Sequence, residues 1–265
     1  MIIDSITAIV KTFERPDSLI NLIKSIQKYY PDLKVIVIDD SKFPMKHSLP
    51  KKINYFHTKY DIGTAAGRNI GIENCQSEYC LILDDDFHFT KYTNIERLVR
   101  TLQVTNFDII SGRVLDFPFY DRCYEGTFEV KDDEFIINVG NNHGYQYQFA
   151  KYDIVKNFFC AKTKVIKNIK WDPYLRLADH EDFFIRCKQF QLNITQDPKT
   201  IIYHFPIRSK EYNKIRLRVY QDRIRFKTKY NFSKITVVPP PTFSYFKMRR
   251  YLNIPKISLY LNKSH

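Results

Sequence analysis

A chain of 265 residues that is 44% hydrophobic and 15% aromatic can bury a full core, which excludes an intrinsically disordered protein. Five scattered cysteines, odd in number and without a CxxC pair, exclude a disulfide framework and a zinc knuckle. The formal charge of +13 points instead to an anionic partner: nucleic acid, an anionic membrane surface or a phosphorylated substrate. No apolar run reaches membrane-spanning length, and residues 1–5 lack the basic start and apolar block of a signal peptide, so the sequence reads as cytoplasmic.

The first half alternates strand-like and helix-like segments, the pattern of a parallel α/β sheet. Residues 6–10 are β-rich; Pro16 then opens a helix with Leu19, Ile20, Leu22, Ile23 and Ile26 on its apolar face. Residues 35–38 form a second buried strand ending in Asp39-Asp40-Ser41, and residues 53–56 a short extended piece. The small residues from Gly63 to Gly71 suit a loop entering a helix, whose first amides could face a phosphate. The apolar run 79–83 reads as a buried strand closed by Asp84-Asp85-Asp86. A helix over 93–105 and a strand over 108–114 follow.

Residues 115–156 lose any period and read as a functional loop or an irregular sheet insertion, with aromatics such as Phe117, Tyr145 and Phe149. Regularity returns at residues 157–161, at a helix start near Asp179-His180-Glu181-Asp182, and at a strand over 201–204. Residues 210–230 form a basic amphipathic helix, and Pro239-Pro240-Pro241 separates it from a basic, aromatic tail.

Three acidic groups therefore fall at strand ends or helix starts: Asp39-Asp40, Asp84 to Asp86, and Glu181-Asp182. In an open α/β sheet those ends line one crevice. Adjacent carboxylates repel unless a cation or donor compensates them, and hard oxygen ligands suit Mg²⁺ or Mn²⁺ bridged to a phosphate. The competing reading is an acidic turn capping the next helix.

In their order along the chain, Thr12-Phe13-Glu14-Arg15, Ile38-Asp39-Asp40-Ser41, Gly67-Arg68-Asn69 with Gly71, Leu83-Asp84-Asp85-Asp86 and His180-Glu181-Asp182 resemble the landmarks of inverting, family-2-like glycosyltransferases of the GT-A fold, the acidic string being their DXD motif. A nearer likeness is to the ganglioside-type β-1,4-N-acetylgalactosaminyltransferases, whose strings are similar to Lys11-Thr12-Phe13-Glu14-Arg15, Ala66-Gly67-Arg68-Asn69, Asp84-Asp85-Asp86-Phe87 and Asn157-Phe158-Phe159. The resemblance spans roughly residues 5–205. It implies an α/β, Rossmann-like GT-A fold with a mixed, mostly parallel sheet flanked by helices over 1–208, its nucleotide-sugar half about 1–114 and its acceptor half about 115–208. Residues 209–265 would be a helical, basic C-terminal extension.

The same resemblance implies transfer of a sugar from a UDP donor, UDP-GalNAc or another UDP-sugar, to a hydroxyl of a glycan or glycolipid, with Mn²⁺ or Mg²⁺. It places Asp40 at the uracil edge with Thr12 and Phe13 beside the base, Arg68 facing the nucleotide, Asp84 on the ribose, and Asp86 with His204 on the metal. Asp85 is left as the structural member of the acidic string. The general base is Asp182 or its rival Glu181, which the sequence does not separate. Two other readings stand beside this one. A sugar nucleotidyltransferase would need a glycine-rich phosphate loop after the first strand, and Thr12-Phe13-Glu14-Arg15 lacks one. A non-catalytic basic module would use the arginines and lysines of 216–229, with peripheral membrane contact through the basic tail favoured over nucleic acid.

Overall fold

The computed structural model describes residues 2–45, 49–117, 120–121, 123–176, 178–206 and 219–239. Its first half follows the apolar periods. β1 (Ile6–Thr12) turns Ile6, Ala8 and Val10 to one face of the sheet and Ile9 to the other, as a strand buried on both sides must. α1 (Pro16–Tyr29) starts with a proline at its first turn, carries Asp17 there and Lys28 in its last turn, and buries Leu19, Leu22, Ile23 and Ile26. Each of those side chains contributes roughly 1.5–3 kcal/mol on burial. Truncating the fully buried Leu22 to alanine would cost about 2–5 kcal/mol and loosen the whole face.

β2 (Lys34–Asp39) and β3 (Ile53–His57) extend the sheet in parallel on one side of β1, and β4 (Tyr79–Asp84) lies parallel on the other. α2 (Thr64–Glu73) crosses between β3 and β4. It packs unusually close to β1, because a Cβ on Gly71 would fall 2.4 Å from Ile9 Cγ2 and one on Gly67 2.7 Å from Lys11 Cγ. After the two-residue β5 (Phe87–His88), α3 (Ile95–Val104) is capped by Asn94, whose side chain accepts from the Arg97 amide at 2.9 Å.

β6 (Ile109–Asp116), β12 (Phe159–Lys162) and β13 (Ile194–His204) complete the centre. Across the main sheet the order is β10-β11-β13-β6-β12-β4-β1-β2-β3, with β10 (Tyr145–Gln146) and β11 (Phe149–Tyr152) at one margin and β7 (Tyr120–Asp121) beside β6. β12 is antiparallel to both neighbours, so β6 and β13 again run in the direction of β4. The C-terminal ends of β1, β2, β4, β6 and β13 therefore share one edge. One core cluster fills the face under α1 and α3; the other lies under α2, α4 (Thr163–Ile169) and α5 (Asp179–Gln189), where Trp171 stacks on Phe183 at 4.3 Å.

The aperiodic stretch contains a hairpin, β8 (Gly126–Lys131) and β9 (Glu134–Val139), which joins β14 (Lys234–Val238) in a second, three-stranded sheet. α6 (Val219–Tyr230) packs on it through Phe226, which is buried against Phe135 and Phe232. β14 was not legible as a strand because it pairs with a segment almost a hundred residues away, whereas a local pattern reports only local burial. The expected helix over 210–230 is seen from Val219 onward; residues 207–218 and the tail 240–265 lie outside the described residues.

Candidate active site

Strand register assembles the acids. Thr12 lies opposite Asp39 and Lys11 opposite Asp84, so the ends of β1, β2 and β4 are flush. His204 lies opposite Asp116 on β6 and opposite Phe87 on β5, which brings it to Asp86. Five regions of sequence, the ends of β1, β2, β4 with β5, β6 and β13, thereby meet at one edge of the sheet.

At the β2 end, Asp40 is fully buried. It pairs with Lys11 at 2.7 Å and accepts from the Gly63 amide at 3.0 Å. Burial pushes its pKa up, against the pull of Lys11. Gly63 holds φ +92°, which only glycine adopts freely, and its Cβ position lies against Arg176. Phe13 is buried beside Tyr60, with ring centroids 5.5 Å apart and the Lys11 ammonium 4.9 Å from the Phe13 ring. The Thr12 hydroxyl does not face this side; it donates to Asp85 at 2.6 Å.

The acidic string divides three ways. Asp84 retains about a third of its side chain in solvent; it pairs with Arg68 at 2.9 Å, and the Asn157 amide lies 3.4 Å from both its oxygens. Asp85 is completely buried between Thr12 and Arg15, and burial, with the neighbouring Asp86 charge adding to it, pushes its pKa up to about 7 despite Arg15. Asp86 accepts from Arg15 at 2.8 Å and sits 3.2 Å from His204 Nε2. Burial acts against its charge, yet the His204 bond and the Arg15 charge together hold its pKa below the ordinary value.

His204 Nδ1 is fixed by Asp116 at 2.7 Å, which aims Nε2 at Asp86. Burial would depress the imidazole, but bonds to Asp116 and Asp86 outweigh it and carry the pKa up to about 9. A carboxylate oxygen and an imidazole nitrogen oriented by a second carboxylate form a donor set suited to Mn²⁺ or Mg²⁺. Two protein donors leave room for phosphate oxygens and water, so these residues fit such an ion provided His204 Nε2 is deprotonated and Arg15 turns aside. Among the described residues no cluster of three or more acidic, histidine or cysteine ligands converges on one point.

Arg68 is buried on α2 and links two acids: Nη2 binds Asp84, and Nη1 binds Asp179 at 2.9 Å. Asp179 opens α5, so this arginine ties the first turn of α5 to the end of β4. The two acids from which a base was expected sit in that turn. Asp182 is fully buried, with Oδ2 bound by Arg186 at 3.0 Å and Oδ1 by Lys229 at 2.6 Å and the Tyr230 hydroxyl at 2.8 Å. It joins α5 to α6 and has both oxygens engaged. Glu181 accepts from the Tyr124 hydroxyl at 2.6 Å.

The local reading of the sequence missed Arg15 as the partner of two acids, Asp116 as the support of His204, and Asp179 as the partner of Arg68. Asp116 had a legible signal, since it too is an acid closing a β-rich run. The partnerships of Arg15 and Asp179 span 70 and 111 residues and had none.

Residues 7–120 match glycosyl transferase family 2. The chain carries a family-2 glycosyltransferase domain on a GT-A-like mixed sheet. Among curated proteins it is 33% identical over 188 residues to β-1,4 N-acetylgalactosaminyltransferase 1 of Rattus norvegicus, and 36% identical over 193 residues to β-1,4 N-acetylgalactosaminyltransferase 2 of Mus musculus. Each match takes in 68% of this chain and 35% of the relative, so the chain spans about a third of their length. Similar solved folds are S. aureus TarS (TM-score 0.57, 15% identity, 82% of this chain and 39% of that one) and GalNAc-T7 with UDP, GalNAc and Mn²⁺ (TM-score 0.57, 11% identity, 87% and 55%). Among the described residues no helix is long and apolar enough to cross a membrane.

Proposed function

We propose that the chain transfers a sugar from a UDP donor to a hydroxyl of a glycan or glycolipid with inversion, UDP-GalNAc being the first donor to test. The observation that carries this reading is the meeting of Asp40, Asp84, Asp86 and His204 at the C-terminal edge of a family-2 domain, where an open α/β sheet takes its ligand. Relatives named as N-acetylgalactosaminyltransferases support the choice of donor, and a similar fold solved with UDP and Mn²⁺ supports the nucleotide and the metal.

In this reading Phe13 packs against the uracil, and Asp40, held by Lys11 and Gly63, accepts from its edge. Thr12 acts one step back, holding Asp85. Asp84 meets the ribose hydroxyls, and Arg68 holds that carboxylate in place. Asp86 and His204 would hold Mn²⁺ or Mg²⁺, which supplies Lewis-acid stabilisation of the leaving diphosphate. Residues 1–208 serve as the catalytic unit, with 209–265 as a basic extension that touches anionic membrane carrying the acceptor.

The test is a panel of UDP-sugars incubated with the protein and Mn²⁺ or Mg²⁺, scored for released UDP. Metal-dependent UDP release from at least one donor is expected. Release of pyrophosphate would make it a nucleotidyltransferase, and no product from any donor would overturn the proposal.

A further inference from the structure

Two of the acids at the end of β4 share one cation, and it stands at the start of α1. Arg15 donates through Nη2 to Asp85 and through Nη1 to Asp86 Oδ2 at 2.8 Å. Asp86 Oδ1 lies 3.2 Å from His204 Nε2, so both oxygens of the carboxylate assigned to the metal are engaged. A divalent ion that takes Asp86 has to compete with Arg15 for it, because two cations on one carboxylate repel.

Helix chemistry alone would not put an arginine here. Arg15 is the N-cap of α1, where Ser, Thr, Asp or Asn would accept from the first amides, and it makes no side-chain cap bond. Its positive charge also opposes the helix dipole, whose N-terminal end favours an anion. The preceding Glu14 holds φ +52°, a left-handed conformation that is costly for a residue with a Cβ. That turn is pinned in shape: the Glu14 amide donates to Ser41 Oγ at 2.7 Å, its side chain accepts from the Lys42 amide at 2.7 Å, and the Leu19 amide donates to the Arg15 carbonyl at 3.2 Å. Local preference is given up to hold a guanidinium against Asp85 and Asp86, at the edge where β1, β2 and β4 end. The backbone is fixed, yet 11% of the Arg15 side chain reaches solvent, whereas Asp85 is sealed.

We propose that Arg15 is exchanged between two anions: it neutralises Asp86 until a divalent ion takes that carboxylate, and then donates to the diphosphate of the UDP donor. The exchange rests on the function proposed above, and it makes the ion and the nucleotide bind as a pair. An ion alone has to displace a guanidinium that gains nothing in return. An ion arriving with UDP brings phosphate oxygens, which the planar fork of an arginine fits.

The experiment titrates Mn²⁺ by its electron paramagnetic resonance signal and UDP by calorimetry, in wild type, Arg15→Gln and Arg15→Gln/Asp85→Asn. Without nucleotide, Arg15→Gln should bind Mn²⁺ about fivefold or more tightly than wild type, since the competing cation is gone. With saturating Mn²⁺ it should bind UDP about tenfold or more weakly, since the diphosphate has lost a charged donor. The double variant keeps the net charge and removes the buried carboxylate at position 85. The same opposite shifts there report a changed partner rather than a changed charge, and they decide the matter if Arg15→Gln does not fold. Mn²⁺ affinity that is unchanged or lower would make Arg15 a fixed support of Asp86 and overturn the exchange. UDP affinity that is unchanged or higher would make Arg15 a countercharge only, which overturns it equally. Wild type that binds no UDP beside saturating Mn²⁺ is the failure of the proposed function itself and takes the exchange with it; the nucleotide-free Mn²⁺ titration keeps the two failures apart.

Discussion

Replacing Arg68 with alanine should destabilise the fold by an amount that depends on pH. Asp179 is 5% exposed and its pKa is pushed up to about 6 from 3.8 by burial, which Arg68 only partly offsets. A raised carboxyl binds its proton more tightly when folded. Its contribution is therefore fully present below the unfolded pKa near 3.8 and is lost as pH climbs through about 6. At about 1.4 kcal/mol per unit, that loss is on the order of 3 kcal/mol in the wild type. Without Arg68 the folded pKa rises further, so the loss continues toward neutral pH and above. Leaving a buried carboxylate unpaired costs about 3–5 kcal/mol, and this should be felt near pH 8, where Asp179 would have to ionise or take up a proton against its unfolded pKa. Near pH 5 the protonated carboxyl needs no partner, so the cost of the mutation should be smaller by at least about 1 kcal/mol. Urea unfolding of wild type, Arg68→Ala and Arg68→Ala/Asp179→Asn at the two pH values provides the measurement. Equal costs at about pH 5 and pH 8, or a double variant no more stable than the single one near pH 8, would refute the reasoning.

Gly71→Ala sets a gain of about 1 kcal/mol in helix propensity against a methyl 2.4 Å from Ile9 Cγ2. Overpacking of about 1–3 kcal/mol should win, and Ile9→Ala in the same chain should abolish the clash; both can be read from thermal melts. Asp116→Asn removes the strongest of the influences that raise the His204 pKa, so an NMR titration should find the imidazole well below about 9, with no change expected if Asp86 alone sustains it. Tyr230→Phe deletes one of the donors to buried Asp182 and should cost about 1–3 kcal/mol in denaturant unfolding, without altering UDP affinity.

Much of the sheet could be read from the chain because burial leaves a local mark. The runs 6–10, 35–38 and 79–83 are apolar on both faces since helices cover both, and Leu19, Leu22, Ile23 and Ile26 recur at helical spacing because α1 lies flat on one of them. Asp40 and the triple aspartate stood out because charge ending such a run has to emerge at the sheet edge. The division of labour among those acids had no local mark: Asp85 is buried by contacts to Thr12 and Arg15 some seventy residues earlier. The first turn of α5 illustrates the limit most sharply. His180, Glu181 and Asp182 are consecutive, and only their partners separate them: the rings of Tyr124 and Phe184 for the first, the Tyr124 hydroxyl for the second, and α6 for the third. The second sheet was illegible for a similar reason, because β9 pairs with β14 a hundred residues later, with β10 to β13 lying between them in the chain.

The account rests on the strand-end acids forming a nucleotide site, and calorimetric titration of UDP into the intact chain with and without Mn²⁺ tests this most directly. UDP should bind with Mn²⁺ and weaken by about tenfold or more when the ion is withheld or when Asp86 is changed to Asn. UDP affinity that ignores both changes, or no UDP binding in the presence of the ion, would contradict the account.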